Sequence, residues 1–216
     1  MLKADLHIHT KYSMDSSTTL EQIIQACTKK NINCIAIADH GAIEGALKLK
    51  EMAPFTVIVA EEILTTRGEI MGMFLKELIP SGLSIDESID RIKKQGGLFC
   101  AQHPFDKFRS DALKKEVMDE IADRIDLVEV FNARNPLLSS SQQAKEFAGA
   151  HKLPGSVGSD AHAAAEIGNA YIEIPEFQTK EEFLSALVQG KVFGHKASPL
   201  THFNSMFARL KKKMKI

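Results

Sequence analysis

The sequence predicts an α/β protein with a mainly parallel sheet, and three observations lead to this fold class. Short apolar runs alternate with amphipathic stretches along the 216 residues. No linker, composition break or low-complexity segment interrupts the alternation, so we expect a single domain over residues 1–216. The run CIAIAD is apolar almost throughout, as is typical of a strand buried on both faces.

The strands are predicted from apolar runs bounded by turn residues. LKADLHIH alternates apolar with polar residues, Pro54 precedes TVIVAEEIL, and Gly68 marks the turn before EIMGMFL. The predicted strands are residues 2–9, 34–39, 56–64, 69–75, 98–103, 125–132, 155–162 and 170–174, and KVFG is strand-like.

The helices are predicted from apolar residues at helical spacing and from their caps. Thr18 or Thr19 caps the first helix, and Ser84 caps another with Glu87 at the capping-box position. The predicted helices are residues 18–30, 43–52, 84–95, 111–122, 139–151 and 180–189, and residues 200–216 form a basic helical tail. In a sheet of this kind, sites form at the carboxyl ends of the strands.

Composition excludes several classes of protein. The 27 Lys and Arg residues against 28 Asp and Glu give a net charge of −1, which disfavours a general nucleic-acid coat. No apolar run approaches the roughly 18 residues that span a bilayer, and the amino-terminal segment lacks the apolar core of a secretory signal. Three cysteines make no disulfide framework in a chain of this length, so we expect a cytoplasmic protein without a membrane partner.

Histidines and carboxylates fall at the ends of five predicted strands. His7 and His9 are two residues apart in the first strand and therefore project from one face. The later strand ends carry Asp39 and His40, Glu61 and Glu62, His103, and Asp160 and His162, and Asp15 lies in the first loop. Each pattern alone also fits a solvated turn, a helix cap or a strand end. Together at one rim they predict a polynuclear site for Zn²⁺, Mn²⁺ or Fe.

The segments DLHIHTKYSMD, IAIADH, VAEEI, FCAQHPFD and VGSDAH, in this order, resemble the PHP (polymerase and histidinol phosphatase) superfamily of metal-dependent phosphoesterases. The resemblance runs from Asp5 to about Glu173. It implies a distorted, TIM-like (β/α) barrel of seven strands that holds two or three divalent metal ions and hydrolyses phosphate esters.

The resemblance also implies which side chains hold the metals. It assigns His7, His9, Glu62 and Asp160 to the first metal, Glu62 and His103 to the second, and Asp15, His40 and His162 to the third. Glu61 competes with Glu62 for the bridging position, and we favour Glu62 because it directly precedes the apolar Ile63.

One position departs from the family pattern. Many members carry a histidine in the strand after the bridging glutamate, where this chain has Met71. A thioether is a poor ligand for a hard dication beside carboxylates, so the second site is short of one ligand or draws on Glu69, Asn132 or a water. The resemblance therefore predicts two metals and leaves the third open.

The leading functional hypothesis is hydrolysis of small phosphorylated metabolites or nucleotide ends. Asp160 or His162 would carry a proton to the leaving oxygen, and Arg109 and Arg134 would hold the phosphate unless they form surface salt bridges. Aromatic residues are only 6% of the chain and tryptophan is absent, so a base-stacking surface for long nucleic acids is not indicated.

The alternative is a non-catalytic scaffold or RNA-binding subunit with a degenerate metal site, which the basic tail and Met71 favour. The near-complete ligand set argues against it. The remaining histidines, His151, His195 and His202, are expected at exposed or partly packed positions away from the site.

Overall fold

The strands of the computed structural model, which describes residues 1–196 and Lys212, form one sheet that curls into a nearly closed barrel. The strands are β1 (Leu2–Ile8), β2 (Cys34–His40), β3 (Thr56–Thr65), β4 (Gly68–Met73), β5 (Leu98–Ala101), β6 (Leu127–Asn132), β7 (Gly155–Gly158), β8 (Ala170–Ile174) and β9 (Lys191–Gly194). The helices are α1 (Leu20–Lys30), α2 (Glu44–Met52), α3 (Ile85–Lys94), α4 (Lys115–Glu120), α5 (Leu138–His151) and α6 (Lys180–Val188), and a short 3₁₀ turn covers Ala122–Arg124.

Seven strands make the ring of the barrel. The sheet order is β7-β6-β5-β4-β3-β2-β1-β8-β9. A bridge between Ile8 and Ala161 brings the end of β1 beside the segment that follows β7, and His9 N donates to Ala161 O at 2.9 Å. Strands β8 and β9 extend the sheet outside this ring. The barrel of seven strands predicted above is therefore confirmed.

Strand β4 runs against both of its neighbours, whereas the other neighbouring pairs from β1 to β7 are parallel. Only Thr66 and Arg67 separate the end of β3 from the start of β4. Such a short connection can form a hairpin, whereas a return to a parallel strand needs a crossover of a dozen or more residues. As a result, Glu69 follows directly on the hairpin turn instead of lying at the far end of the barrel.

The caps confirm two of the predicted helix starts. Thr19 and Gln22 form a reciprocal capping box on α1, and the Ser84 side chain accepts from Glu87 N at the start of α3. The helix predicted at residues 111–122 is shorter, because α4 begins only at Lys115. The carbonyl oxygen of Asp111 instead accepts from Glu69 N at 2.7 Å, so the start of this segment is tied to β4.

The core lies between the helices and the sheet, and the first six residues of β2 are fully buried. Cys27, Cys34 and Cys100 are buried and reduced. Within the described ranges, no helix combines the length and the apolar character needed to cross a membrane. The predicted tail and His202 lie outside the described residues except for Lys212, whose Nζ donates to the carbonyl oxygen of Lys11 at 2.8 Å.

Candidate metal centre

Four side chains from β2 and from the loops that follow β1 and β7 meet at one end of the barrel and form what we call the His9 group: His9, Asp15, His40 and His162. One nitrogen or carboxylate oxygen from each lies within 4.8 Å of the others. Asp15 Oδ2 is 3.0 Å from His162 Nε2 and 3.3 Å from His40 Nε2. The loop after β1 thus places a carboxylate between two imidazoles from other elements.

Three side chains from β1, β3 and the segment after β5 form a second set, the His7 group: His7, Glu62 and His103. Glu62 Oε1 is 3.2 Å from His7 Nε2 and 2.9 Å from His103 Nε2. All three side chains are buried. Glu62 therefore lies between imidazoles from β1 and from the segment after β5.

Asp160, His7 and His9 connect these groups. His9 Nε2 is 3.2 Å from His7 Nε2 and 3.4 Å from Asp160 Oδ1. Glu62 Oε2 is 3.3 Å from His9 Nε2, so Glu62 faces both groups. The two groups consequently form one continuous cluster.

The geometry of the cluster fits divalent metal ions. Two ligand atoms that are each about 2.1 Å from a tetrahedral metal ion lie about 3.4 Å apart, close to the nitrogen-to-oxygen distances above. Glu62 Oε2 and Asp160 Oδ1 are buried and lack a hydrogen-bond partner among the described residues, as do the Nδ1 atoms of His9 and His103. Imidazole nitrogens and carboxylate oxygens without other partners are the donors that Zn²⁺, Mn²⁺ and Fe²⁺ take.

Burial and neighbouring charges shift the pKa values of His7 and His9 in opposite directions. Burial alone would lower the pKa of His7, but nearby carboxylates, Glu62 first among them, raise it well above its usual value. Burial and the neighbouring His162 lower the pKa of His9 to about 4. His9 is therefore neutral at pH 7, as a metal ligand must be.

The carboxylates of the cluster are held ionised despite their burial. Burial would raise the pKa of Asp160, but the guanidinium of Arg109 and the neighbouring histidines lower it well below the usual value. Burial would likewise raise the pKa of Asp15, but its contacts with His162 and His40 lower it. This concentration of buried negative charge favours a bound cation.

Glu129, in the middle of β6, supports the His7 group from behind. Its Oε1 lies 3.0 Å from His7 Nδ1, which leaves His7 Nε2 free to face the centre. Its Oε2 accepts from His103 N at 2.7 Å and from Asn132 Nδ2 at 3.0 Å. Sequence reasoning missed Glu129, although a carboxylate within the apolar run LVEVFN is an available signal.

Other buried carboxylates hold the loops that carry the ligands. Asp39 accepts from the backbone N and the Oγ1 of Thr10, both at 2.6 Å, and so fixes the chain that follows His9. Asp5 accepts from Ser159 N and Gly168 N, both at 2.8 Å, on either side of the loop with Asp160 and His162. These two contacts depend on the pairing of strands and were not predicted.

The backbone is strained at two of the ligand positions. His103 has φ = 31° and Asp160 has φ = 54°, a region that non-glycine residues seldom adopt. Such conformations persist where the surrounding structure enforces them, and they concentrate at functional sites. At Gly158 the limit is space, because a Cβ there would overlap His7 Cβ.

The alternatives left open by the sequence occupy distinct places. Glu61 lies outside the cluster, where its Oε2 accepts from Ile79 N at 3.0 Å. Glu69 joins His40 and Glu62, with its Oε1 2.8 Å from His40 Nδ1. Met71 is buried directly opposite Glu62 in the β3–β4 pair.

Asn132 does not reach the His7 group through its side-chain amide. Asn132 Nδ2 donates to Asp160 Oδ2 at 3.2 Å and to Glu129, as described above. The amide therefore bridges two carboxylates of the centre.

The two arginines differ in their contacts. Arg109 Nη2 donates to Asp160 Oδ2, and Arg109 Nε is 3.5 Å from Asp106 Oδ2. Arg134 is buried, and its positive charge acts on His162 and on Glu166. Glu166, in turn, accepts from His162 N at 2.8 Å. Both arginines therefore lie beside the cluster.

The remaining described histidines lie apart from it. His151 ends α5, where its ring packs 4.4 Å from that of Phe147. His195 is exposed after β9, and its backbone N donates to Asn169 O.

A nearly closed barrel with histidine and carboxylate clusters at one end is the fold of PHP-like metal-dependent phosphoesterases. Residues 5–96 match the family model of the PHP domain, and residues 139–192 match a model described as PHP-associated. The chain belongs to the PHP family.

Similar proteins support this assignment. The chain is 43% identical over 146 residues to the uncharacterized protein MJ1587 of Methanocaldococcus jannaschii, covering 61% of this chain and 82% of that protein. It is 37% identical over 196 residues to the uncharacterized protein MJ0417 of the same organism, covering 86% of this chain and 79% of that protein.

One similar crystal structure is a two-domain protein from Bacteroides vulgatus that contains a predicted PHP-like metal-dependent phosphoesterase. It aligns with a TM-score of 0.70 at 17% identity over 90% of this chain. This chain spans 65% of the length of that protein. At this level of identity, the similarity supports the shared fold.

Proposed function

We propose that this protein hydrolyses phosphate esters of small metabolites or nucleotide ends at a centre of two or three divalent metal ions. The observation that carries the proposal is the convergence of imidazole nitrogens and carboxylate oxygens, within 4.8 Å of one another in each group, at one end of the barrel. A cluster of this kind suits the binding and hydrolysis of a phosphate ester, which is an anion.

The donor atoms suggest which side chains hold each metal. His7, His9 and Asp160 form one set, and His7, Glu62 and His103 form another. The third set is His9, Asp15, His40 and His162. Bound divalent ions would activate a water at neutral pH and neutralise the phosphoryl oxygens.

The side chains beside the metals would bind the phosphate and move protons. Arg109, at the edge of the cluster, presents a planar fork of donors that suits two phosphoryl oxygens. Asp160 or His162 would carry a proton to the leaving oxygen, and the low pKa of Asp160 beside Arg109 makes its carboxylate a weak base. Burial is the main cause of the lowered pKa of His162, so its neutral imidazole would take a proton from the attacking water and, once protonated, release it to the leaving oxygen.

Arg134 is the second proposed phosphate-binding side chain. Its burial and the effect of its charge on His162 support this role. We expect Arg134→Ala to raise KM for phosphate esters. Unchanged kcat and KM would contradict this role.

The test of the proposal is metal analysis combined with hydrolysis of p-nitrophenyl phosphate. Purified protein should contain at least one divalent metal ion per chain and should release p-nitrophenol with Mn²⁺, Zn²⁺ or Fe²⁺. No bound metal and no turnover with any of these ions would instead favour the scaffold function. A panel of nucleotide and sugar phosphates would then identify the substrate.

The three buried, reduced cysteines are compatible with activity in the cytoplasm, where we propose the protein acts.

A further inference from the structure

A cavity of about 550 Å³ lies beside the metal centre, in the segment that follows β5. Its lining includes four cationic side chains, Lys107, Arg109, Lys114 and Lys115, and one carboxylate, Asp106. The volume lies within the range of small-molecule sites, which is roughly 300–1,000 Å³. The cavity is therefore large enough for part of a small ligand and is positively charged.

The positive charge of this cavity is largely unneutralised. Lys107 and Lys114 are exposed, and neither has an ion-pair partner in the part of the chain that the structure describes. Lys115 pairs with Asp119 at 2.5 Å, but both side chains are exposed, and such pairs contribute little. The one carboxylate, Asp106, already accepts from Phe108 N and faces Arg109.

Arg109 joins the cavity to the metal centre. Its guanidinium lines the cavity and also donates to Asp160 Oδ2 inside the centre. Arg109 would therefore lie between a phosphoryl group bound beside Asp160 and the cavity. The remainder of the substrate, beyond the reacting ester, would extend into the cavity.

We infer that this cavity binds a second anionic group, a phosphate or a carboxylate, on the leaving-group side of the substrate. The inference rests on the proposed hydrolysis and narrows its substrates to small phosphate esters with a further negative charge. The exposed ammonium groups of Lys107 and Lys114 attract either anion, and their flexible side chains can adjust to its position. An uncharged leaving group would leave these cations without a counter-charge from the substrate.

The test compares three esters that differ in one group: propyl phosphate, 3-(phosphonooxy)propanoate and propane-1,3-diyl bisphosphate. With Mn²⁺-loaded protein, we expect kcat/KM for the two doubly anionic esters to exceed that of propyl phosphate by about tenfold, the effect of roughly 1.4 kcal/mol. The bisphosphate value is first divided by two for its equivalent ester groups. The larger of the two ratios identifies the preferred second anion.

A double variant, Lys107→Ala with Lys114→Ala, tests whether the cavity causes the preference. We expect the ratio between the bisphosphate and propyl phosphate to fall to about one. Lys94→Ala is the matched control, because Lys94 is an exposed residue at the end of α3, toward the opposite end of the barrel. A double variant that keeps the wild-type ratio would overturn the inference.

A binding measurement separates this inference from the proposed function. Titration calorimetry with propane-1,3-diyl bisphosphonate and propylphosphonate, which are not hydrolysed, should show about tenfold tighter binding of the bisphosphonate to the wild type. Hydrolysis of propyl phosphate with no preference for a second anion would overturn the inference alone. If no ester is hydrolysed, the proposed function fails, and equal binding of the two phosphonates would then overturn the cavity assignment as well.

Discussion

The His9 group and the His7 group meet at the same end of the barrel, but the chain supports them in different ways. The loop between β1 and α1 supports the His9 group: Ser13 Oγ donates to Asp15 at 2.7 Å, and Ser16 and Thr18 each donate to His162 O at 2.9 Å. This group offers four donor side chains. These three supporting side chains come from one short segment next to Asp15, and two of them reach across to His162.

The His7 group depends instead on residues that are distant in the sequence. Glu129, which is 122 residues from His7, contacts the ring of His7 and accepts from the backbone N of His103. The group offers three donor side chains, and the β4 position opposite Glu62 is the non-ligand Met71. The two groups should therefore differ in metal affinity and in their sensitivity to remote substitutions. Four substitutions test this difference.

His9→Ala should have the largest effect, because His9 contributes to both parts of the cluster. We expect loss of at least one metal ion per chain and a fall in phosphate-ester hydrolysis of about 100-fold or more, since metal-dependent charge stabilisation is worth several kcal/mol. Mass spectrometry measures the metal content, and the turnover of p-nitrophenyl phosphate measures the hydrolysis. The control is His195→Ala, an exposed histidine away from the centre. Full metal content and activity in His9→Ala would contradict the assignment of the cluster.

Glu129→Gln should weaken the His7 group selectively. An amide can accept only through its oxygen, so its NH₂ would face either His7 Nδ1 or His103 N, which Glu129 now bonds. We expect metal affinity of the His7 group to fall about 10- to 100-fold, as is typical when the partner of a metal-binding histidine is removed. Chelator competition measures the affinity, and Glu51→Gln, an exposed glutamate on α2, is the control. Equal weakening of every metal would contradict the separation of the two groups.

Met71→His should strengthen the His7 group. A histidine at this position stands opposite Glu62 and adds an imidazole to a set of three donors. We expect the Zn²⁺ affinity of the His7 group to rise about tenfold, a change at the lower end of that expected for Glu129→Gln. Met71→Leu conserves volume and adds no ligand, so it should leave the affinity unchanged. The same affinity in both variants would show that this side chain does not face the metal.

Glu61→Gln should have the smallest effect, and it should act on stability rather than on metal binding. Burial raises the pKa of Glu61 from 4.5 to about 8. Between these pH values the folded protein keeps a proton that the unfolded chain has lost, so the free energy of unfolding falls as the pH rises. Glutamine removes this contribution, and thermal or urea unfolding from pH 5 to 8 should show a flatter pH dependence.

The unfolding experiment on Glu61→Gln has two controls. Glu51→Gln, at an exposed position, should keep the wild-type pH dependence. Metal content should be unchanged in Glu61→Gln, because Glu61 lies outside the cluster. An identical slope in wild type and Glu61→Gln would contradict the raised pKa.

The strand ends could be predicted from the sequence because they depend on local patterns. The alternation of apolar runs and amphipathic stretches located nearly all of the elements, and motifs such as HIH and SDAH located the residues that meet at one rim. Met71 was recognisable because a single position departs from the pattern of its family. These features need no knowledge of which strands pair.

The remaining features depend on contacts between distant strands. The contact of Glu129 with His7 forms only because the ring closes and brings β6 near β1, and the sequence of β6 alone does not indicate that closure. The bonds from Thr10 to Asp39 depend on the pairing of β1 with β2. The reversed direction of β4 depends on a two-residue connection whose sequence, Thr66–Arg67, is not a common hairpin turn.

The closure of the ring between Ile8 and Ala161 determines when the centre can assemble during synthesis. Strand β1 leaves the ribosome before the other strands of the barrel, and the segment that joins it and supplies Asp160 and His162 follows some 150 residues later. At about 5–20 residues per second, the first two histidines wait many seconds for their partners. The metal-binding cluster is therefore among the last parts of the molecule to form, and a nascent chain that stalls before β7 cannot complete it.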